Sequence, residues 1–290
     1  MHVLTLIASY GSDALTPALI ARVAEAVHGG LPVVLSAGEA VDIPVVAVPD
    51  PAVIHAALDA APVDAVVTPA DGRRKRLLMA DMDSTIVTTE TLDELAAHAG
   101  QQDRVAAITR RSMNGEIDFP TALRERVGLL RGLPLEALAK TWAATSLMSG
   151  AAELIATMRA HGATTALVSG GFTYFTGRVA DLLGFDIHRA NTLLDDGTAL
   201  TGEVGEPILD RAAKLEALQE LAAEQGLDMA DCLAVGDGAN DLAMIRAAGL
   251  GVAFHAKPIV SAEARVRIDH CGLRALLFMQ GYDASEIVAE

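Results

Sequence analysis

Two carboxylates two residues apart, Asp81 and Asp83, follow a short apolar run at residues 77–81 (LLMAD). Just past a strand, such a pair can turn toward one bound ion, and Mg²⁺ takes carboxylate and phosphate oxygens. The same DxD pattern also occurs as a solvated turn in acidic chains, so alone it does not decide. A second apolar run, 164–170 (TTALVSG), ends in Ser169 and Gly170 and continues into Gly171. A hydroxyl and exposed backbone amides ahead of a helix can hold phosphoryl oxygens there. A third run, 232–237 (CLAVGD), opens Gly236-Asp237-Gly238-Ala239-Asn240-Asp241, a glycine-flanked acidic turn suited to a metal. Lys214 shares a helical stripe with Leu218 and Leu221, which directs an ammonium inward. Arg211 shares part of that register, and periodicity does not choose between the two.

Those groups need elements to carry them. Runs that are apolar on both faces belong in a buried parallel sheet. Helical patterns at 151–160, 171–183, 210–225 and 239–248 alternate with them, which predicts a Rossmann-like, doubly wound α/β core. Ligands bind beyond the carboxyl ends of strands in such a core, so the three polar strand ends converge on one site. Residues 90–150 are helical in pattern throughout and read as an inserted helical cap. Its helix from Pro120 carries Leu123, Val127 and Leu130 on one stripe and has Asp118 as its cap residue. Arg126 falls on that buried stripe, whereas Arg124 points away. A lone charge there needs a partner, either a structural carboxylate or a ligand.

The first 72 residues differ in pattern. Strands at 2–9, 32–37, 44–48 and 64–69 and helices at 16–28 and 51–61 give the order βαββαβ, with Thr16-Pro17 and Pro51 opening the helices. That order matches a ferredoxin-like α+β module, and small amino-acid-sensing ACT domains share it. Residues 70–76 (ADGRRKR) read as a linker whose basic residues, Arg73, Arg74, Lys75 and Arg76, form a solvated charge run. The division is therefore 1–72 for the module, 73–89 with 151–290 for the core, and 90–150 for the cap.

Composition narrows the functions. With 38 acidic against 22 basic residues, the chain of 290 residues carries a net charge of -16. Such a field repels nucleic acid and anionic membrane surfaces at long range, and an anionic substrate would need local positive charge or a metal. A 51% hydrophobic content supplies a core and excludes disorder as the main description. Cys232 and Cys271 lack CxxC spacing, so neither a disulfide framework nor a cysteine zinc site is expected. The first residues lack the basic and apolar regions of a signal peptide, and charged residues or glycine interrupt every apolar stretch before membrane-span length. A cytoplasmic protein is expected. The oligomeric state stays open, a homodimer included.

Taken in order, DMDSTIVTTETLDELA, SMNGEIDFPTALRERVGLL, ALVSGGF, NTLLDDGTALTGEV and AVGDGAND resemble the haloacid dehalogenase superfamily of phosphotransfer enzymes over residues 77 to about 280. At closer range they resemble its members that hydrolyse O-phosphoserine with Mg²⁺. The resemblance implies Asp81 as nucleophile and Asp83 as general acid and base. It implies Ser169, Gly170 and Lys214 as phosphate-holding groups and Asn240 beside them, with Gly171 and Asp241 in support. Metal ligation falls on Asp81, Asp83 through its backbone carbonyl, and Asp237. Glu90 and Arg126 would read the substrate's ammonium and carboxylate, under apolar covers at Met113 and Phe119. The hairpin at Asp195-Asp196-Gly197 resembles the family's flap beside the cleft. A related phosphatase or phosphotransferase is the nearest alternative, and a non-catalytic amino-acid sensor is the alternative of another class.

Overall fold

The computed structural model describes residues 1–113 and 116–288, with Met113 described in its backbone alone. The apolar cover expected of the Met113 side chain thus lies outside the described residues.

The N-terminal module runs β1 (His2–Ala8), α1 (Pro17–Ala26), β2 (Val33–Ser36), β3 (Ala40–Val45), α2 (Pro51–Leu58) and β4 (Val63–Pro69). Both helices start as their sequences predict: Thr16 Oγ1 accepts from Leu19 N, Asp50 accepts from Ala52 N, and a proline occupies the first turn of each. The sheet order is β2-β3-β1-β4 with antiparallel pairing throughout, the ferredoxin-like arrangement. One strand departs from its expected place at 44–48. The chain turns at Gly38, whose φ is 74°, and pairs at once from Ala40, which leaves Val46 87% exposed and Val48 60% exposed beyond the strand. That register sets Asp42 against Thr5, whose hydroxyl donates to it at 2.6 Å, so a polar residue is accommodated mid-strand.

The core begins with β5 (Leu77–Ala80), all four residues fully buried. The cap follows as α3 (Thr91–His98), α4 (Gln102–Met113), α5 (Phe119–Gly128) and α6 (Glu136–Ala144). Asp118 caps α5 by accepting from Thr121 N at 2.7 Å. The core resumes with α7 (Ala151–Ala160), β6 (Thr164–Phe172), α8 (Thr173–Leu183) and β7 (Ile187–Asn191). A hairpin, β8 (Leu193–Asp195) and β9 (Leu200–Val204), turns at Gly197, and β9 packs on α5. Next come α9 (Arg211–Glu224), β10 (Cys232–Gly236), α10 (Leu242–Ala247), β11 (Leu250–Phe254), α11 (Pro258–Glu263), β12 (Val266–Ile268) and α12 (Ala275–Met279). The six-stranded parallel sheet has the order β12-β11-β10-β5-β6-β7. Since β5 has β6 on one side and β10 on the other, the crevice past its end is the topological switch point where ligands bind. Among the described residues no helix is long and apolar enough to cross a membrane.

The basic segment before β5 is more than a solvated linker. Arg73 Nη2 donates to Asp42 Oδ1 and to Thr5 Oγ1, both at 3.0 Å, and to the Phe278 carbonyl at 3.1 Å. Arg74 pairs with Glu286 at 2.7 Å and lies over the Tyr282 ring, and Lys75 donates to the carbonyls of Gly72 and Ala230. Arg76 keeps the solvated character expected of the run: its side chain is exposed, and among the described residues it forms no ion pair. Apart from Gly72, these partners lie far off in sequence, so composition could not reveal them.

Candidate active site

Asp81 stands at the end of β5, its amide donating to the Val235 carbonyl at 3.0 Å and its Oδ1 accepting from Met82 N at 2.8 Å. From α9, whose register Asp210 sets by capping Ala212 and Ala213, Lys214 reaches it. The Lys214 ammonium is 1% exposed and lies 2.8 Å from Asp81 Oδ1 and 2.6 Å from Asp241 Oδ1, whereas Arg211 is exposed. The choice that periodicity left open falls on Lys214. Burial would lower its pKa, but Asp241 and Asp81 outweigh burial and hold it above its ordinary value.

Three buried carboxylates, those of Asp81, Asp237 and Asp241, place ligand oxygens within 4.8 Å of one another. Asp241, expected only as a supporting group, thus joins this cluster, with its Oδ2 accepting from Gly238 N at 3.0 Å. Gly236 has to be glycine, because a Cβ there would run into the Asp241 carboxylate. Asn240 is partly buried, and its Oδ1 occupies the space a Cβ on Gly238 would need. Burial raises the pKa of Asp237 against the pull of Lys257, and burial together with Asp81 raises that of Asp241 to about 7. An excess of crowded carboxylates with oxygen donors alone fits a small hard divalent cation such as Mg²⁺.

Asp83 turns its side chain elsewhere. Its Oδ1 accepts from Thr91 N at 3.1 Å, and its Oδ2 lies 2.7 Å from where a Cβ on Gly171 would be. Ser169 is buried, and its Oγ accepts from Gly171 N at 2.9 Å, so Asp83, Ser169 and Gly171 meet in one crowded spot. Burial, then repulsion from Glu90 and Asp81, pushes the Asp83 carboxyl up to about 8. Since that is far above the ordinary aspartate value of 3.8, the folded state binds the proton more tightly than the unfolded chain does. The stability this contributes is complete below pH 3.8 and drains away as pH rises through about 8. Asp83→Asn, which needs no proton, should therefore melt at least roughly 2 °C above the metal-free wild type at pH 8. At pH 4 the two should melt together, and an equal difference at both pH values would rule this account out.

The cap supplies the remaining groups. Phe119, half-buried at the start of α5, comes within 3.2 Å of where a Cβ on Gly170 would be, and so closes over the end of β6. Arg126 lies 5.9 Å from the centre of that ring and donates from Nε to the Ala122 carbonyl at 3.3 Å. No carboxylate stands within ion-pair distance of it among the described residues. Burial lowers its pKa against the opposing fields of Asp93 and Glu90. Glu90 precedes α3 at the cleft mouth, where its Oε1 accepts from Ser84 Oγ at 2.9 Å. Burial raises the Glu90 pKa and Lys257 opposes that rise. Ser84 itself is a non-glycine at φ 55°, a left-handed turn that brings the chain from Asp83 back toward the cap.

Lys257 is the group that reading the sequence missed. Its ammonium lies 3.1 Å from Asp237 Oδ2 and 3.8 Å from Glu90 Oε1. The signal was present, since LGVAF at 250–254 is another strand apolar on both faces and FHAKP follows it, a fourth polar strand end beside the three recognised.

The haloacid dehalogenase-like hydrolase family model matches residues 78–246. A phosphoserine phosphatase of Archaeoglobus fulgidus is 46% identical over 188 residues, which cover 65% of this chain and 55% of that protein. The chain thus spans little more than half the length of that relative. A phosphoserine phosphatase of Methanocaldococcus jannaschii is 40% identical over 205 residues, 71% of this chain and 97% of that protein. The crystal structure of a HAD family hydrolase from Salmonella enterica serovar Typhi superposes with a TM-score of 0.83 at 27% identity, over 96% of this chain and 98% of that one. With a sheet whose carboxylate-bearing strand ends meet at the switch point, and with more than half of its length matched, this chain belongs to the haloacid dehalogenase-like hydrolase family.

Proposed function

We propose that the chain is a Mg²⁺-dependent phosphoserine phosphatase that hydrolyses O-phospho-L-serine to L-serine and phosphate. The observation that carries this reading is Arg126: a guanidinium on the cap, beside Phe119, with no carboxylate in reach among the described residues, while the carboxylate of Glu90 stands at the cleft mouth. One cation and one anion suit an amino-acid zwitterion, and a sugar phosphate offers neither charge. The two relatives named phosphoserine phosphatase support the same reading.

Phosphate monoesters hydrolyse so slowly in water that positioning and charge neutralisation must supply most of the acceleration. In this mechanism Asp81 attacks phosphorus in line, the bond to the serine oxygen breaks, and an aspartyl phosphate forms, which water then hydrolyses. Asp83 gives its proton to the departing serine oxygen and later takes one from the attacking water. A carboxyl pushed up to about 8 is suited to the first of these steps. Ser169, the Gly170 amide, Lys214 and Asn240 hold the phosphoryl oxygens, with Gly171 and Asp241 supporting them. Mg²⁺, held by Asp81, the Asp83 carbonyl and Asp237, would supply the remaining positive charge. Lys214 and that cation let a chain of net charge -16 accept a dianion. Arg126 grips the substrate carboxylate as a bidentate fork, Glu90 takes the ammonium, and Phe119 shields the cleft. We place the enzyme in the cytoplasm, a reading supported by Cys232 and Cys271, both buried and unpaired.

The test compares kcat/KM for phosphoserine and for an aryl phosphate. Arg126→Ala and Glu90→Gln should each cost phosphoserine roughly 10-fold to 100-fold or more, since a charged group left without its partner costs about 1 to 3 kcal/mol or more. The aryl ester, which has neither group, should hardly respond. Arg126→Lys should rescue only in part, because an ammonium lacks the planar fork. Parallel losses on both substrates would mean that these residues organise the cap and do not read the amino acid.

A further inference from the structure

The two lysines of the cleft are held in opposite ways. Lys214 is 1% exposed and clamped between Asp81 and Asp241. Lys257 has its backbone pinned, its amide donating to the Asp237 carbonyl at 3.2 Å, but its side chain is 48% exposed. Its ammonium bridges Asp237 Oδ2 at 3.1 Å and Glu90 Oε1 at 3.8 Å, and so ties the loop after β10 to the first residue of the cap. A long, flexible, half-exposed lysine can swing from such a bridge into water, because its stem and its charge are already partly solvated. The partners are less free. Asp237 lies in the three-carboxylate cluster and Glu90 stands directly ahead of α3, and Lys257 is the cation that reaches both among the described residues.

We propose that Lys257 is an exchangeable counter-cation, which neutralises Asp237 and Glu90 in the empty cleft and is displaced when a divalent cation takes Asp237 and a substrate ammonium takes Glu90. The inference rests on reading Asp237 as a metal ligand and Glu90 as the ammonium site. A built-in competitor weakens the affinity for the metal and keeps the cap tethered to the metal loop while the cleft is empty. Lys257 acts here through Asp237 and Glu90, as a positioning residue.

Calorimetric titration of the intact chain with Mg²⁺ alone, for wild type, Lys257→Met and Lys257→Arg, tests the inference. Lys257→Met should bind Mg²⁺ roughly tenfold more tightly, because no internal cation has to be displaced. Its metal-free form should melt below wild type, and saturating Mg²⁺ should close that gap. Lys257→Arg, which keeps the charge, should bind Mg²⁺ as wild type does. Unchanged or weaker Mg²⁺ binding by Lys257→Met, with wild type binding normally, would overturn the counter-cation role alone. A merely structural lysine would lower the melting temperature equally with and without Mg²⁺, which also overturns it. Absence of Mg²⁺ binding by wild type would remove the metal reading of the cluster and the inference with it.

Discussion

Asp81→Asn should leave a folded protein with no measurable phosphatase turnover, a loss of at least roughly 10⁴-fold. The amide matches the carboxylate in shape, so the hydrogen bond from Met82 N and the packing at the end of β5 have no reason to change. Charge balance also favours folding. Lys214 keeps Asp241 at 2.6 Å, and the repulsion that Asp81 exerts on Asp241 disappears. What the variant loses is the anionic oxygen that bonds to phosphorus in the proposed mechanism, and no other carboxylate of the cluster can substitute if Asp81 alone is aligned in line. Intact-mass analysis after rapid acid quench should detect a phosphorylated wild-type chain and none in the variant. Turnover within tenfold of wild type would refute Asp81 as the nucleophile, whatever became of the cap residues.

Much of this site could be read from the chain because its groups sit at strand ends, where a local pattern specifies both the element and the direction of its last side chain. LLMAD, ALVSGG and CLAVGD are each apolar on both faces and each ends in a polar group, and β5, β6 and β10 carry them to one crevice. Lys214 was legible only to within a choice, because helical spacing gives Arg211 part of the same stripe. Tertiary packing decides it, placing one in a buried carboxylate pair and the other in water. Lys257 escaped notice for a different reason: its partners, Asp237 and Glu90, lie 20 or more positions away, and a lone Lys-Pro carries no periodic signal. The strand at Ala40–Val45 was misplaced because hydrophobicity pointed to PVVAV, whereas the turn at Gly38 and the Thr5 hydroxyl draw Asp42 into the sheet. Arg73 was misjudged for the same reason, since the carboxylate that binds it belongs to that unexpected strand.

Removing residues 1–72 should therefore unfold or aggregate the remainder, although the proposed nucleophile, the cap and the parallel sheet all lie beyond the cut. Ile7, Ala40 and Val66 of the module share one apolar cluster with Leu78, Leu276 and Phe278 of the core, so the cut would expose α12 to water. Polar stitching adds to this. Asp64 is buried, and its carboxylate accepts from the amides of Asp269 at 2.9 Å, His270 at 3.1 Å and Cys271 at 2.9 Å, while Ser9 Oγ donates to the His270 carbonyl at 2.7 Å. A buried amide left without an acceptor costs about 1 to 3 kcal/mol, and of these three donors Cys271 is the buried residue while Asp269 and His270 are exposed. Because a truncation that fails to fold says little about which contact mattered, Asp64→Ala in the intact chain is the sharper measurement. It should lower stability by about 2 to 5 kcal/mol in urea melts without changing the slope, because the same surface is still exposed on unfolding. It should also leave KM for the substrate near that of wild type, since Asp64 touches the segment after β12 and no group of the cleft. A truncated chain that stays soluble, with wild-type turnover and a melting temperature within a few degrees, would show that the module is an appendage and that these amides find water when it is gone.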